Sequence, residues 1–430
     1  MRPLRYLSST HGSALVIFIV LYLAAIRYFS IVAAPDPSSA FASLERIYER
    51  RYSLIRAAQA NEYIARAEQE PQRKASSDPT ICVGISTVQR PKARYFKTMM
   101  GSLLDGLSDR ERSDLFIMPF IGNVDPREHL AFNETWLPNV ADKIVTYDDE
   151  HVSDADRARL RHMTSGQQGH KEKALFDYKS VLRGCLKNTH APYVLIVEDD
   201  TLAIDGWYSH TMAALRELEA NRDYKTALYL RLFYNTGLQG WNSEFWPYYL
   251  FYSIIFELVF LGILISIRSM TSNPVSRFLA GRGTMAFLLC ICAPACVGLF
   301  FAAGRMTVHP NPHGIHQMNH HACCSQALLF PRERVLPLLD HYTKSGIGFR
   351  DTLMEKYADD NGLSRWALTP SVFQHVGAQS SKWSGQGPKQ MGRNGRTTSQ
   401  NNWNFQFERW DATKLLMERI RRNGRADKDV

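Results

Sequence analysis

The sequence lacks the motifs that mark the common nucleotide-binding classes. It contains no GxxxxGK[ST] loop and no strand-linked GxGxxG, which disfavours a nucleoside triphosphatase or a dinucleotide enzyme. It has no internal repeat, and seven cysteines in 430 residues are too few for a disulfide scaffold. The composition also excludes collagen and a disordered chain. What remains is a folded protein of roughly two or three domains.

Three long apolar segments contrast with the mean hydropathy of -0.27, which is that of an ordinary soluble protein. Residues 14–34 carry only Arg27, residues 248–267 carry only Glu257, and residues 284–303 carry no charge. Each segment is long enough to cross a bilayer. We predict an N-terminal transmembrane anchor and, later, a transmembrane hairpin. The alternatives are a cleaved signal peptide for the first segment and a buried helical hairpin for the other two.

The charges beside these segments predict their orientation. Arg2 and Arg5 precede the first segment without a compensating acid, and the connector 268–283 contains three arginines and no acid. Such flanks favour the cytoplasm, so residues 35–247 and 304–430 are predicted to be lumenal. The two cytoplasmic pieces contribute two and three of the nine units of net charge. The remainder is too weak for a nucleic-acid footprint, so we predict no nucleic-acid partner.

Strand-like and helix-like stretches alternate between the first and second apolar segments. Strands are predicted to begin at Ile81, Leu115, Lys143, Tyr193 and Thr226. Helices are predicted over residues 95–107, 171–186 and 207–219. This alternation indicates an α/β fold with a mainly parallel sheet. An amphipathic stem helix is predicted over 41–70, and a helix over 351–358 is predicted between sheet-edge elements after the hairpin.

The strongest local signal for chemistry is the acidic end of the strand YVLIVEDD. Glu198, Asp199 and Asp200 follow apolar strand residues directly, at the end where open parallel sheets bind ligands. Three adjacent carboxylates repel one another unless a cation neutralises them, and such oxygens suit Mn²⁺ or Mg²⁺ held beside substrate phosphates. A solvated acidic turn is the alternative. A divalent ion here would stabilise a diphosphate leaving group, which suggests nucleotide-sugar chemistry.

The chain resembles lumenal glycosyltransferases with the GT-A fold. ICVGISTVQRP is similar to their opening nucleotide-binding strand, and KEKALFDY, YVLIVEDD and FQHVG resemble signatures of the N-glycan-branching N-acetylglucosaminyltransferase IV family. That family has no membrane hairpin inside its catalytic domain. The combination of hairpin and Glu-Asp-Asp motif resembles the GPI-anchor side-chain N-acetylgalactosaminyltransferases of the post-GPI-attachment-to-proteins group. The similarity extends from Arg2 to about Trp383.

This resemblance implies a set of binding residues at the carboxyl edge of the sheet. It assigns Glu198, Asp199 and Asp200 to the metal and diphosphate motif, with Asp200 the strongest candidate for a direct ligand and Glu198 a second one. His375 of FQHVG is expected to approach the same ion, although a packed histidine at a strand end is the alternative. The remaining donor-site candidates are Thr87, Arg90, Lys173 and Asp177, for which a solvated strand end or an exposed helical face is the alternative.

Inversion at the anomeric carbon, which the resemblance also implies, requires a general base for the acceptor hydroxyl. The candidate is Asp351 in GIGFRDTLMEKYADD. Its alternative role is to cap the helix that follows, because aspartate is a preferred cap residue.

Several further features have no assigned role. The stretch from His309 to Cys324 has five histidines and two cysteines, but its spacing fits no standard zinc pattern. An oxidising lumen permits disulfides, and the pairing among Cys82, Cys185, Cys323 and Cys324 is left open. Asn133 lies in the one glycosylation sequon, and Glu257 is left unassigned.

The predicted organisation can now be given in full. The boundaries are a cytoplasmic tail 1–13, a transmembrane anchor 14–34, a stem and linker 35–79, a first catalytic part 80–247, a transmembrane hairpin 248–267 and 284–303 with its cytoplasmic loop 268–283, a second catalytic part 304–380, and a C-terminal tail 381–430. The tail to Asn404 has a flexible composition, although Trp383, Trp403 and Phe405 suggest that it packs against the domain.

The resemblance thus predicts a Golgi membrane enzyme with its catalytic domain in the lumen. It is expected to use Mn²⁺ (or Mg²⁺) and to transfer N-acetylgalactosamine from UDP-GalNAc, with inversion, to the mannose of GPI anchors on proteins or of the GPI lipid. One alternative is an N-acetylglucosaminyltransferase that acts on N-glycans. The other is a catalytically inactive membrane adaptor with the same fold.

Overall fold

The computed structural model describes residues 10–90, 94–149, 154–163, 166–270, 281–319, 324–378, 395–397 and 400–426. Most of the predicted cytoplasmic tail and loop, Cys323 and Trp383 lie outside the described residues. The chain divides into two compact units. The apolar unit comprises residues 1–48 and 239–310, and the sheet unit comprises residues 49–238 and 311–430.

The apolar unit contains the three segments predicted to cross a membrane. Its helices are α1 (Thr10–Val32), α2 (Leu44–Ile47), α10 (Trp246–Met270), α11 (Arg282–Phe287), a π-helical turn (Leu288–Cys292), α12 (Ala293–Ala302) and α13 (Arg305–Val308). Among the described residues, three helical stretches are long and apolar enough to span a bilayer, at Leu15–Val32, Thr236–Ser269 and Gly283–Ala302. This finding is consistent with a membrane protein.

Polar contacts join α1, and the loop before α10, to α12. The Tyr22 hydroxyl donates to the carbonyl of Ala295 over 3.1 Å, and the Trp241 indole donates to the carbonyl of Phe301 over 3.0 Å. Because a backbone carbonyl in an apolar environment has no water to bind, such bonds link neighbouring helices where hydrophobic contacts alone give little selectivity.

The sheet unit is an α/β structure built on a seven-stranded sheet. Its strands are β1 (Ile81–Thr87), β2 (Leu115–Ile121), β3 (Tyr193–Glu198), β5 (Ala227–Arg231), β6 (Gly314–Gln317), β7 (Ala327–Pro331) and β8 (Ser364–Thr369). A separate two-stranded sheet pairs β4 (Thr201–Ala203) with β9 (Phe373–His375). The helices are α3 (Tyr52–Ala67), α4 (Tyr95–Leu104), α5 (Asp109–Ser113), α6 (Trp136–Val140), α7 (Asp154–His162), α8 (Gly166–Asn188), α9 (Trp207–Ala220), α14 (Arg332–Ser345), α15 (Arg350–Asp360) and α16 (Ala412–Ala426).

The sheet is mixed, whereas the sequence predicted a mainly parallel one. Its order is β2-β1-β3-β7-β5-β8-β6. The pairs β1 with β2, β1 with β3 and β5 with β8 are parallel, but β7 is antiparallel to both of its neighbours and β6 to β8. The two antiparallel strands both follow the apolar hairpin in the chain. The alternation of strands and helices, from which parallel pairing was predicted, ends before the hairpin. No local pattern therefore specified the direction of β6 and β7.

Two predicted elements differ from the structure for local reasons. The strand predicted from Lys143 is reduced to one parallel bridge between Phe120 and Val145, because the chain turns where the Asp149 carboxylate accepts bonds from Thr146. The single helix predicted over 41–70 is two helices, α2 and α3. The second begins where the Glu408 carboxylate accepts bonds from the backbone N–H groups of Arg51 and Ser53, at 2.8 and 3.0 Å.

The core lies on both faces of the large sheet. One layer packs α3, α4 and α9 against the sheet, and the other packs α8 and α14. The Cys82–Cys185 disulfide joins β1 to α8 inside the second layer. Cys324 is also disulfide-bonded. The strands β1, β2, β3 and β7 are largely apolar and buried, which is the pattern of a sheet covered on both faces.

Candidate active site

The acidic motif lies where the ends of several strands meet. Glu198 ends β3 and is in register with Ser86 of the parallel strand β1, whose last residue is Thr87. The chain then turns through Asp199 and Asp200 into β4, which pairs with β9 so that Thr201 faces His375. The topology therefore brings the end of β1, the acidic turn and FQHVG together at one edge.

Asp199 is buried and is held by the last residue of β1 and by an arginine of the loop that follows. Its Oδ2 accepts a bond from Thr87 Oγ1 at 2.7 Å, and its Oδ1 accepts one from Arg90 Nη2 at 2.7 Å. Burial raises the pKa of Asp199 to about 6, although Arg90 and Thr87 act in the opposite direction. Asp199 is thus held by fixed donors instead of solvent.

Asp200 contacts both Arg90 and His375. Its Oδ2 lies 3.2 Å from Arg90 Nη2 and 3.5 Å from His375 Nε2. Burial raises the pKa of this carboxyl, but His375 and Arg90 lower it more, so it stays below its usual range. The other oxygen, Oδ1, is buried and has no hydrogen-bond partner among the residues that the structure describes. A buried carboxylate oxygen without a donor is an unusual and costly arrangement.

Glu198 points to a different set of partners. Its Oε1 accepts bonds from Arg350 and from Ser325 Oγ, the latter at 2.9 Å, and Arg350 Nε also donates to Ser325 at 2.7 Å. Arg350 is the first residue of α15 and lies over the ring of Tyr178, 5.4 Å from its centroid. The Glu198 carboxylate is therefore already paired, and its role as a metal ligand stays a prediction.

Two arginines balance the three adjacent carboxylates. Arg90 bonds to Asp199 and Asp200, and Arg350 bonds to Glu198. Burial lowers the pKa of each guanidinium, but the carboxylates raise it more, so both remain charged. The sequence predicted that a cation neutralises this motif. The protein itself supplies two, the guanidinium groups of Arg90 and Arg350.

His129 belongs to the site and was not predicted from the sequence. Its Nε2 lies 3.0 Å from Thr87 Oγ1, which already donates to Asp199, so the ring N–H donates to the hydroxyl. Burial and the nearby Arg90 lower the pKa of His129 to about 4 and keep the ring neutral. It lies in a loop after β2 without a recognisable motif, so only tertiary packing reveals it.

Lys173 and Asp177 form a buried cluster beside the loop after β2. Lys173 Nζ donates to Asp177 Oδ2 at 2.7 Å, to the carbonyl of Gly122 at 2.6 Å and to the hydroxyl of Tyr147 at 3.0 Å. Tyr147 in turn donates to Asp177. These bonds hold the loop after β2 against α8. Direct contact of either residue with a nucleotide stays a prediction.

Asp351 lies in the first turn of α15 and is partly exposed. The residue that precedes the helix is Phe349, so Asp351 is inside the helix and not at its cap position. Its Oδ1 accepts a hydrogen bond from the backbone N–H of the next residue, Thr352, at 2.9 Å. The carboxylate is thus available to solvent or a substrate, next in sequence to the arginine that binds Glu198.

Asp200 and His375 fit a divalent cation better than the full predicted set of ligands, which also includes Glu198. Within the described ranges, no group of three or more His, Cys, Asp or Glu side chains is placed to hold a metal. Mn²⁺ and Mg²⁺ beside substrate phosphates commonly use only one or two protein ligands. Asp200, with its unpartnered Oδ1, and His375 form such a pair. A methyl group on Gly377 would lie 2.4 Å from Asp200 Oδ2, so glycine keeps this space open.

A cleft opens beside Asp199, with an empty volume of about 380 Å³ that includes open solvent. Its polar lining includes Thr87, Gln89, Arg90, Arg94, Lys97, His129 and Glu134. Three of these side chains are cationic, which suits an anionic ligand. Arg94 and Lys97 also form ion pairs, with Glu134 and Glu68 respectively. The cleft therefore joins the acidic turn to two partly exposed ion pairs.

Comparison with known proteins identifies the family of the chain. No curated protein matched the chain. The family model described as GPI-N-acetylgalactosamine transferase PGAP4 matches residues 81–374, from the first residue of β1 to the residue before His375. The match covers more than half of the chain and includes the acidic turn. The chain belongs to the GPI-N-acetylgalactosamine transferase PGAP4 family, a family of glycosyltransferases.

Proposed function

We propose that this protein is a Golgi glycosyltransferase of the GT-A type that transfers N-acetylgalactosamine from UDP-GalNAc to the mannose of GPI anchors. The observation that carries the proposal is the buried cluster of Arg90, Asp199, Asp200 and His375 at the sheet edge, inside a chain of the PGAP4 family. Such a cluster beside a cationic cleft supports binding of a diphosphate donor.

Asp200 and His375 would hold the divalent ion, with Mn²⁺ or Mg²⁺ as the candidates. When bound, the ion would supply charge neutralisation for the departing diphosphate. The rest of the donor site consists of the protein's own groups. Thr87 and Arg90 fix the position of Asp199, while Arg94 and Lys97 line the cleft and favour an anionic donor.

Asp351 would act as general base toward the acceptor hydroxyl. It is partly exposed, and the neighbouring Arg350 is bonded to Glu198 of the acidic motif. Loss of the base, with the donor site intact, should lower the rate of the chemical step and leave the affinity for the donor unchanged. We expect Asp351→Asn to lower transfer at least about 100-fold with an almost unchanged Kd for UDP. Transfer at the rate of the unmodified protein would show that Asp351 is not the base.

The membrane location and the disulfide support the cellular part of the proposal. Three helical stretches are long and apolar enough to span a bilayer, and an enzyme anchored in this way would suit an acceptor linked to lipid. The Cys82–Cys185 bond favours an oxidising compartment such as a secretory lumen.

A donor panel tests the function. Full-length protein in nanodiscs is incubated with a purified GPI-anchored protein, Mn²⁺ and either UDP-GalNAc or UDP-GlcNAc. We expect transfer with UDP-GalNAc, loss of it in Asp200→Ala, and retention in the matched control Asp109→Ala, whose carboxylate is 83% exposed. Preference for UDP-GlcNAc with an N-glycan acceptor would support the branching-enzyme alternative, and absence of turnover with every donor would support the inactive adaptor.

A further inference from the structure

The C-terminal segment that follows the family match is an ordered part of the sheet unit. The match ends at residue 374, but residues 402–408, which we call the C-terminal clamp, are packed into the core. Trp403 and Phe405 are 7% and 3% exposed, and Asn404 and Phe407 are fully buried. The clamp is thus not a solvated tail.

The clamp is joined to β9 by a reciprocal pair of hydrogen bonds. The backbone N–H of Asn404 donates to Gln374 Oε1 at 3.0 Å, and Gln374 Nε2 donates to the carbonyl of Asn404 at 2.9 Å. Gln374 is fully buried. The side-chain amide of Gln374 therefore pairs with the clamp as a neighbouring strand would, and both of its polar ends are satisfied.

Two clamp side chains extend this connection. Asn404 Nδ2 donates to the carbonyl of Tyr234 at 3.0 Å, and its Oδ1 accepts from the backbone N–H of Gln406 at 2.9 Å. Glu408 Oε1 accepts a second bond from Gln374 Nε2, at 3.1 Å. The other oxygen of Glu408 binds the start of α3. The clamp thus fixes β9 to the loop after β5 and to α3.

His375 is the next residue of β9, and the clamp also reaches its ring. The backbone of Asn402 is a hydrogen-bond partner of the imidazole, whose Nε2 faces Asp200. On the opposite edge, β4 pairs with β9 in register Thr201 to His375. The imidazole therefore has the acidic turn on one side and the clamp on the other.

We propose that the C-terminal clamp is a positioning element that holds His375 against Asp200, with Asn404 as its central positioning residue. The inference rests on the proposed metal-dependent donor site. Partners that orient a metal-binding histidine affect metal affinity or activity by about 10- to 100-fold when they are removed. A segment outside the region matched by the family model would then control the metal affinity of the site inside it.

Direct Mn²⁺ binding tests this inference without relying on turnover. Free Mn²⁺ is titrated by electron paramagnetic resonance with the full-length protein in nanodiscs in the presence of UDP. Asn404→Ala keeps the backbone pair with Gln374 but removes the side-chain bond to Tyr234 that fixes the clamp, and we expect it to weaken Mn²⁺ binding about 10-fold. Glu408→Gln should weaken it less, because one acceptor oxygen is kept. Asn423→Ala is the matched control, since Asn423 is an exposed asparagine of the same C-terminal segment.

The outcomes separate the inference from the proposed function. Folding is checked by thermal unfolding, and Glu408→Gln, which preserves side-chain volume, replaces Asn404→Ala if the latter does not fold. Wild-type Mn²⁺ affinity in a folded clamp variant would overturn the positioning role alone. Absence of Mn²⁺ binding by the unmodified protein would overturn the metal-dependent donor site itself. Turnover of Asn404→Ala that recovers at high Mn²⁺ would further support the inference.

Discussion

At the scale of single residues, Arg90 determines the electrostatics of the site. Its guanidinium bonds to both Asp199 and Asp200, and its side chain is 8% exposed. Without it, the two buried carboxylates would lose the cation that both of them contact, and Asp200 would keep His375 as its near partner. A buried charge that loses its partner is far more costly than an exposed one.

Arg90→Gln should therefore destabilise the protein and abolish donor binding. Breaking a buried pair typically costs about 3 to 5 kcal/mol, so we expect a clear fall in Tm and no measurable UDP binding. Arg73→Gln is the matched control because Arg73 is 54% exposed and its partner Asp109 is 83% exposed. Similar Tm values for the two variants would show that Arg90 does not balance the acidic turn.

His129 makes a pH-dependent contribution of known sign. Its pKa is lowered from 6.5 to about 4 in the folded protein, so below pH 6.5 the unfolded chain binds more protons than the folded one. The free energy of unfolding is therefore highest above pH 6.5 and decreases as the pH falls toward 4. The loss that His129 causes is at most roughly 3 kcal/mol. We expect the Tm of the unmodified protein to fall over this range more steeply than that of His129→Gln. Parallel Tm profiles would contradict the neutral buried ring.

At the scale of secondary-structure elements, the sequence predicted the ends of strands better than the contacts between them. The buried strand before Glu198 followed from its apolar run, and the resemblance of FQHVG to a family motif placed His375 near the acidic turn, where the structure has it. The pairing of Glu198 with Arg350 was not predictable, because residues 152 positions apart meet only through tertiary packing. The antiparallel direction of β6 and β7 escaped prediction for the same reason, since no helical crossover specifies it.

The bridge between Arg350 and Glu198 connects α15 to the end of β3, and so connects the candidate base to the acidic turn. We expect Arg350→Gln to lower kcat for transfer by about 10- to 100-fold, because small displacements of reacting groups are costly, with little change in the KM for the donor. Lys356→Gln on the exposed face of the same helix is the control, as Lys356 is 65% exposed. A higher donor KM with unchanged kcat would instead place Arg350 in donor binding.

At the scale of the whole molecule, three helical stretches of the described residues are long and apolar enough to span a bilayer. Their existence was predicted from length and lack of charge, and the structure has helices at all three positions. The predicted orientation of these helices across the membrane is based on flanking arginines. Three of them, Arg2, Arg5 and Arg277, lie outside the described residues. The orientation therefore requires an independent test.

Glycosylation of Asn133 provides that test. Asn133 is exposed in a loop of the sheet unit, and a lumenal location would allow the sequon to be modified. We expect N-glycosidase treatment to increase the electrophoretic mobility of the protein, and Asn133→Gln to remove this shift. A glycan on a sequon introduced within residues 271–280, instead of on Asn133, would reverse the proposed orientation.

The central claim concerns the chemical product on a GPI anchor. The most direct measurement is mass spectrometry of GPI glycans from cells that lack this activity and express either the unmodified chain or Asp200→Ala. The account predicts one additional N-acetylgalactosamine on the GPI mannose with the unmodified chain and none with the variant. An added N-acetylglucosamine, or identical GPI glycans in both cell lines, would contradict it.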